Sequence, residues 1–211
     1  MNPKTRKPSL KSGERAESQR QRILKAAKEC FVEDGLHAGT IARISESAQM
    51  SPGLIYRYFS SREEIVVELA QHEISSNSAV SLVGLAPKVF AARFCEYLRR
   101  WRAGDPEVLS ATLILELSAE GTRNEAIARQ ITEVDTQANT SLTAWLSDLA
   151  QKSGKPLNEE ELAISVLTLQ GFLDGLLLRA VRESALDIDA SGKALENLIA
   201  LLVPPQPTTS M

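Results

Sequence analysis

Apolar residues recur along this chain with the spacing of helices. The first such run places Ile23, Ala27 and Phe31 on one helical face. Gly35 follows this run and favours a helix end, so the first helix is predicted over residues 17–34. No stretch alternates apolar and polar residues as a half-buried strand does. The pattern predicts an all-α protein of about nine helices.

Capping and breaking residues separate the predicted helices from one another. Thr40 and Ser51 can each accept a backbone N–H at a helix start, and Pro52 suits the first helical position. Ser61 followed three residues later by Glu64 forms a capping-box pattern. After the first helix, the predicted helices cover residues 41–48, 52–59, 61 to a break at 83–87, 87–103, 105–121, 124–151, 158–184 and 189–203.

Charge and composition divide the chain into four segments. Residues 1–16 are rich in Pro, Ser and basic residues and are predicted to form a flexible basic arm. Residues 17–62 form a small helical head and residues 63–203 a larger body, while a Pro-rich tail over 204–211 is predicted to be disordered.

The head is basic and the body is acidic. The first 62 residues carry 12 Lys/Arg and 6 Asp/Glu, whereas the remaining residues carry 12 and 21. A basic module on an acidic body suits a polyanion-binding protein. The alternative is an N-terminal solubility tail, since Lys4, Arg6, Lys7 and Lys11 supply part of the excess.

Several classes of protein are disfavoured. Cys30 and Cys95 lie far apart among apolar residues, which favours reduced, buried thiols, and His37 and His72 give no metal-ligand spacing with them. No signal peptide precedes the head, and no apolar run reaches the roughly 18 residues of a membrane span. We expect a cytoplasmic protein without metal, cofactor or membrane partner.

The head has the pattern of a helix-turn-helix. Three short helices follow one another, and residues 49–51 make a tight turn between the second and third. The third helix has apolar anchors in Ile55 and Phe59. Its other face carries Tyr56, Arg57 and Tyr58, which can donate to bases and phosphates in a major groove. The alternative is a small helical bundle with surface aromatics.

The same residues resemble the TetR/AcrR family of DNA-binding repressors. The resemblance covers about residues 20–70 without a gap. Its parts are Arg22-Ile-Leu-Lys-Ala-Ala, Phe31 with Gly35, Thr40-Ile-Ala-Arg-Ile, Ser51-Pro-Gly-Leu-Ile-Tyr-Arg-Tyr-Phe and Arg62-Glu-Glu-Ile.

The resemblance implies how the head would contact double-stranded DNA. Pro52, Gly53 and Arg57 would approach bases. Thr40, at the start of the second helix, would touch a phosphate, as would Tyr56 and Tyr58. Arg62 would also contact the DNA backbone, and it replaces the Lys that is more common in the family, which keeps the charge. The implied DNA-binding residues are Thr40, Ser51, Pro52, Gly53, Tyr56, Arg57, Tyr58 and Arg62.

For the body, the resemblance implies an all-α domain that binds an effector and dimerises. The eighth helix is apolar nearly all round, so every side of it needs a cover, which favours a homodimer over a buried helix of a monomer. Gly171 and Gly175 would let another backbone approach closely. The predicted interface consists of Leu169, Gly171, Leu173, Gly175, Leu176, Leu195, Leu198 and Leu202.

A small-molecule effector is predicted to bind among the fifth to eighth helices. Glu116 and Glu120 lie one turn apart and could face a cationic or hydroxylated ligand, although such a pair can equally be solvated or bridged by Arg123. Aromatic residues on these helices are candidate pocket walls or plain core. The candidate contacts are Tyr97, Trp101, Glu116, Glu120, Asn124, Trp145 and Phe172.

The sequence is compatible with two functions. The first is a transcriptional repressor that an effector releases from a palindromic operator. The second is a helical enzyme or small-molecule carrier with an incidental helix-turn-helix. The chain lacks a Gly-rich phosphate loop and any plausible pair of nucleophile and base, which favours the repressor.

Overall fold

The chain folds into helices throughout the part that the computed structural model describes, residues 10–77, 82, 84–105, 108 and 110–203. No strand occurs among these residues, and the all-α prediction is confirmed. The helices are α1 (Leu10–Asp34), α2 (Ile41–Ala48), α3 (Pro52–Ile55), α4 (Arg62–Asn77), α5 (Pro87–Arg102), α6 (Ala111–Gly121), α7 (Glu125–Lys152), α8 (Glu159–Arg182) and α9 (Ile188–Leu202).

Side-chain caps begin several of these helices, as the sequence predicts. Side-chain oxygens of Thr40, Ser51 and Asn158 each accept the backbone N–H three residues later. Ser61 Oγ likewise accepts the N–H of Glu64 at 3.1 Å. The Glu64 carboxylate turns back to the residue before Ser61, so the predicted capping box is formed with a shift of one residue. These caps satisfy N–H groups that a helix start leaves without partners.

The first helix begins earlier than predicted. It starts at Leu10, so the prediction of a flexible arm over residues 1–16 is wrong for residues 10–16. Extending an existing helix by one residue costs little once the nucleus has formed, and this segment contains Lys, Glu, Arg and Ala, which are good helix formers. Residues 1–9 and the tail over 204–211 lie outside the described residues.

Two boundaries in the body also differ from the predictions. Ser110 caps α6, so this helix starts later than the predicted Asp105. Asp187 caps α9, which therefore starts one residue before the predicted Asp189. In both cases two Ser or Asp residues lie near the helix start, and either one can act as a cap.

A single apolar core fills the head and continues into the body. Leu113 and Leu117 of α6 and Ile127 of α7 pack in the same cluster as the interior of the head, and all three are buried. The head contributes Ile23, Leu24, Ala27, Cys30, Phe31, Leu36, Ile44, Ala48, Ile55, Phe59, Ile65, Val66, Leu69 and Ala70, among others. The head is therefore seated on α6 and α7 by shared packing.

A second apolar core holds the body together, with α5, α7, α8 and α9 around Trp145. Helices α5 and α9 pack closely because Gly192 has no side chain. A Cβ at Gly192 would stand 2.7 Å from Cys95 Sγ. Arg102, in the last turn of α5, donates to the carbonyls of Glu183 at 2.8 Å and Leu186 at 3.0 Å, which fixes the loop between α8 and α9.

We predict that Gly39→Ala destabilises the head. A Cβ at Gly39 would stand 2.3 Å from Phe31 Cδ1, and the ring is fully enclosed by the head core. Forcing such an overlap costs about 1–3 kcal/mol of unfolding free energy. Gly53→Ala is the control, because nothing lies within 4 Å of a Cβ there. Urea unfolding measures both; equal free energies for the two variants would contradict the packing described.

Candidate nucleic-acid interface

The turn between α2 and α3 is held in an unusual backbone conformation. Gln49 adopts φ 52° and ψ 46°, the left-handed region that non-glycine residues rarely occupy. Its N–H donates to the carbonyl of Glu46 at 3.0 Å, and the N–H of Met50 donates to that of Ser45 at 2.9 Å. The Met50 side chain packs on the head core. The angle between α2 and α3 is therefore fixed by backbone bonds and packing together.

The third helix is shorter than the predicted range of residues 52–59. Regular α-helix covers Pro52–Ile55, after which the chain continues in tight turns to Phe59. The N–H of Phe59 still donates to the carbonyl of Ile55 at 3.0 Å, so the segment keeps its helical direction. Ile55 and Phe59 are buried, which confirms their predicted role as anchors.

The outer surface of this segment presents polar groups to solvent. Tyr56 is 54% exposed, and Pro52, Gly53 and Arg57 are exposed as well. A Cβ at Gly53 would meet nothing within 4 Å, so a DNA backbone could approach closely there. Tyr58 is half-buried and packs against the head core, and its phosphate contact stays a prediction. Pro52, Gly53, Tyr56 and Arg57 together form the exposed surface of the segment.

Arg20 fixes the end of this segment, a role that the sequence pattern did not indicate. Its Nη1 donates to the carbonyl of Tyr58 at 2.6 Å, and its guanidinium lies 4.3 Å from the centre of the Phe59 ring. Its other nitrogens bind the carboxylate of Glu68 on α4, and this hydrogen bond raises the pKa of Arg20. Arg20 on α1 thus connects the α3 segment to α4. Its two partners, Tyr58 and Glu68, lie 38 and 48 residues away in the sequence.

The start of α2 offers a second set of groups to a phosphate. Thr40 is exposed and lies where the helix dipole favours an anion. Its oxygen accepts the N–H of Arg43, and its hydroxyl proton is left to donate. Arg43 itself is held by Asp34 and Glu46, each at 3.0 Å, and these hydrogen bonds raise its pKa. The exposed residues of the predicted interface are Thr40, Ser51, Pro52, Gly53, Tyr56 and Arg57.

Arg62 makes hydrogen bonds within the chain, and its phosphate contact stays a prediction. Its Nε donates to the carbonyl of Gly39 at 2.8 Å, and its Nη2 donates to that of Leu36. The guanidinium lies 5.4 Å from the centre of the Phe31 ring. The side chain is half-buried, so Arg62 holds the loop between α1 and α2 and presents little of its charge to solvent.

Three of the predicted effector contacts have roles in the fold. Glu116 Oε2 accepts the N–H of Leu36 in the head at 2.5 Å. Glu120 lies 3.5 Å from Arg123, the bridge that the sequence allowed. The side-chain oxygen of Asn124 caps α7, accepting two backbone N–H groups at 3.0 and 3.3 Å. Glu116 and Asn124 thus have partners within the chain, and their ligand contacts stay predictions.

The aromatic candidates divide into core and partly accessible residues. Trp145 is fully buried and its Nε1 donates to the carbonyl of Leu85 at 2.8 Å, so it belongs to the core. Tyr97, Trp101 and Phe172 are half-buried. Desolvation raises the pKa of Tyr97 to about 12. These three remain candidates for lining an effector site.

Three of the eight residues of the predicted dimer interface are buried within their own chain. Leu169, Leu176 and Leu195 are buried in the core of their own chain, whereas Leu173, Gly175, Leu198 and Leu202 are half-buried. Gly171 is exposed, with nothing within 4 Å of a Cβ. A helix that is apolar all round gives no periodic signal for which face turns inward. The exposed apolar side chains on these two helices are instead Ile164, Leu167, Leu178 and Leu201.

The cysteines, possible metal sites and the hydropathy of the helices complete the description. Cys30 and Cys95 are buried free thiols, as predicted, and burial raises the pKa of each. No group of three or more His, Cys, Asp and Glu residues is placed to hold a metal in the described ranges. Helix α8 is long and apolar enough to cross a membrane by length and composition, a test that core helices of soluble proteins also pass.

Known proteins resemble this chain both in the head and over most of its length. The E. coli K12 transcriptional regulator UidR is 27% identical over 145 residues, covering 65% of this chain and 69% of UidR. The repressor AcnR of Corynebacterium efficiens is 24% identical over 173 residues, covering 81% of this chain and 86% of AcnR. The structure of Bacillus subtilis FadR with stearoyl-CoA superposes with a TM-score of 0.64 at 21% identity, covering 87% and 97% of the two chains.

The head itself carries the family match. Residues 23–69 match the family of "Bacterial regulatory proteins, tetR family". This range contains α2, α3 and the loops that fix them, and the relatives named above are named as transcriptional regulators. The helix-turn-helix head of this chain is therefore that of the TetR family of DNA-binding transcriptional regulators.

Proposed function

We propose that this protein is a transcriptional repressor that binds a palindromic operator as a homodimer and is released by a small molecule. DNA binding is supported by an exposed surface that consists of Pro52, Gly53, Tyr56 and Arg57. This surface is anchored by the buried side chains of Ile55 and Phe59. Pro52, Gly53 and Arg57 would face base edges, while Thr40 and Tyr56 would bind phosphates. Such a protein acts on chromosomal DNA and would work in the cytoplasm.

Arg57 is the residue best suited to read sequence. Its side chain is exposed, and the backbone that carries it is anchored on both sides by Ile55 and Phe59. A guanidinium can donate twice to the O6 and N7 atoms of a guanine in the major groove. The Tyr56 hydroxyl, next to it in the chain, would donate to a phosphate, which positions the head without selecting a base.

The dimer proposal rests on an exposed apolar face of α8 and α9. Leu167 is 73% exposed and Leu201 is 77% exposed, although both are large apolar residues. On α8, Ile164, Leu167, Gly171 and Leu178 lie at i, i+3, i+7 and i+14, which is one helical face. A second copy of the chain would cover this face with its own α8 and α9. The open space at Gly171 would let the two α8 helices approach closely.

A protein partner fits this face better than a lipid bilayer does. Asp174 lies on the same side of α8, ten residues after Ile164. Desolvation raises the pKa of Asp174, and the negative charge of Asp135 on α7 raises it further. A carboxyl group in the middle of a lipid-facing helix is costly, whereas a protein interface can supply a partner for it.

The release by a small molecule is supported by relatives. AcnR is named a repressor, and FadR has been solved with stearoyl-CoA. A ligand can release DNA only if it prefers a conformation in which the two heads no longer match successive major grooves. Helix α4 starts in the head at Arg62 and continues along the body, so it is suited to carry such a change. Tyr97, Trp101 and Phe172 would line the ligand site.

The reading helix can be tested by substitution. We expect Arg57→Ala to relax base preference and to cost about 1–3 kcal/mol in binding a selected operator. Tyr56→Phe should weaken binding to all sequences alike, because a phosphate contact carries no base information. Arg129→Ala is the matched control, since it removes one exposed cation from α7. Fluorescence anisotropy on selected and scrambled duplexes measures all three; unchanged selectivity for Arg57→Ala would refute the assignment.

The dimer face can be tested without disturbing the fold. Leu167→Glu should convert the protein to monomers, because the new charge would have to be buried between two copies. The side chain is exposed in a single chain, so the helical content should stay unchanged. Val32→Glu, at an exposed apolar residue of the head, is the control. Light scattering should give twice the 23.0 kDa chain mass for the parent and control; a monomeric parent would exclude this dimer.

The release step can be tested with a panel of metabolites and drugs that includes stearoyl-CoA. We expect at least one compound to raise the melting temperature and to weaken operator binding by roughly 5–150-fold, the usual range of allosteric coupling. Operator titrations at saturating compound measure the effect. Compounds that stabilise the protein yet leave its operator affinity unchanged would show a binding site that is not coupled to DNA.

A further inference from the structure

Besides the shared core, a hydrogen bond joins a backbone N–H of the head to an acidic side chain of the body. Glu116 lies on α6 between Leu113 and Leu117, which are both in the shared core. Its Oε2 accepts the N–H of Leu36 at 2.5 Å, across 80 residues of chain. Gly35, directly before Leu36, has a φ of +83°, a left-handed conformation that favours glycine and turns the chain towards Glu116.

The same loop is bound from its other side. The carbonyl of Leu36 accepts from Arg62, the first residue of α4, and the carbonyl of Gly39 accepts from the same guanidinium. Thr40 follows directly and caps α2, the first helix of the helix-turn-helix. The segment that leads into the DNA-binding unit is therefore held between α6 and the start of α4.

Two opposing electrostatic effects act on the hydrogen bond between Glu116 and the Leu36 amide. A hydrogen bond to a carboxylate is stronger than one to a neutral acceptor. The carboxylate nevertheless lies at the C-terminus of α1, where the helix dipole is negative and disfavours an anion. These two effects oppose each other, which lowers the free energy needed to break the bond.

We propose that Glu116 is a positioning residue: its bond to the Leu36 amide sets the angle of the DNA-binding head on the body, and loss of this bond when an effector binds lets that angle change while the shared core keeps the head attached. The inference rests on the proposed function, since the head angle matters only when two heads must match one operator. It assigns Glu116 to the link between the body and the head, rather than to the ligand.

Three variants separate the hydrogen bond from other effects. Glu116→Ala removes the acceptor, whereas Glu116→Gln keeps an acceptor oxygen and should rescue the function. Glu120→Ala is the matched control, because Glu120 lies one turn further along α6 and pairs with Arg123. Melting temperatures establish that all three are folded.

The decisive readout is the preference for half-site spacing. Binding affinity is measured for operators selected with the parent protein and for copies with two base pairs inserted between the half-sites. The insertion moves one half-site by about 7 Å along the DNA axis. We expect Glu116→Ala to lower this preference by a factor of about five or more, with Glu116→Gln and Glu120→Ala close to the parent. A preference unchanged in Glu116→Ala, or equal weakening on both operators, would overturn the proposal.

Hydrogen exchange tests the contact independently of DNA. The Leu36 amide should exchange at least tenfold faster in Glu116→Ala than in the parent or in Glu120→Ala, since one hydrogen bond of about 1.4 kcal/mol corresponds to a factor of ten. If Leu36 exchange is unchanged, the inference fails even when the operator is bound. If the parent selects no operator, the proposed function fails, and Leu36 exchange still decides whether the bond exists.

Discussion

The structure depends on the apolar core that the head shares with α6 and α7. Leu113, Leu117 and Ile127 come from the body but are buried among residues of the head. Burying one such side chain contributes about 1.5–3 kcal/mol, so these three outweigh any single polar contact between the two parts. The core attaches the head to the body. Hydrogen bonds at its edge then decide the angle at which the head is attached.

The DNA-binding surface is exposed because its supports are buried. The exposed half of α3 is anchored by Ile55 and Phe59, and Arg20 connects its end to α4. The turn before it is held in the left-handed region at Gln49. A surface with these supports loses little conformational freedom on binding DNA. A change in the body therefore reaches the DNA as a movement of the whole head.

Features that depend on residues close together in the sequence could be predicted. Contacts between residues far apart in the sequence could not. The caps at Thr40 and Ser51 could be predicted because a cap binds an N–H three residues away. The hydrogen bonds of Arg62 and Glu116 within the chain could not be predicted, because their partners lie 26 and 80 residues away, where periodicity carries no information. The faces of α8 were likewise undetermined, because apolar residues surround the whole helix.

The central claim is that head and body form one cooperative unit through the shared core. Native-state hydrogen exchange in increasing denaturant tests it most directly, with amides of Ile23 and Ile44 reporting on the head and those of Leu117 and Ile131 on the body. We predict that these amides share one opening free energy and one dependence on denaturant. Head amides that open at a lower free energy while the body amides stay protected would contradict the account.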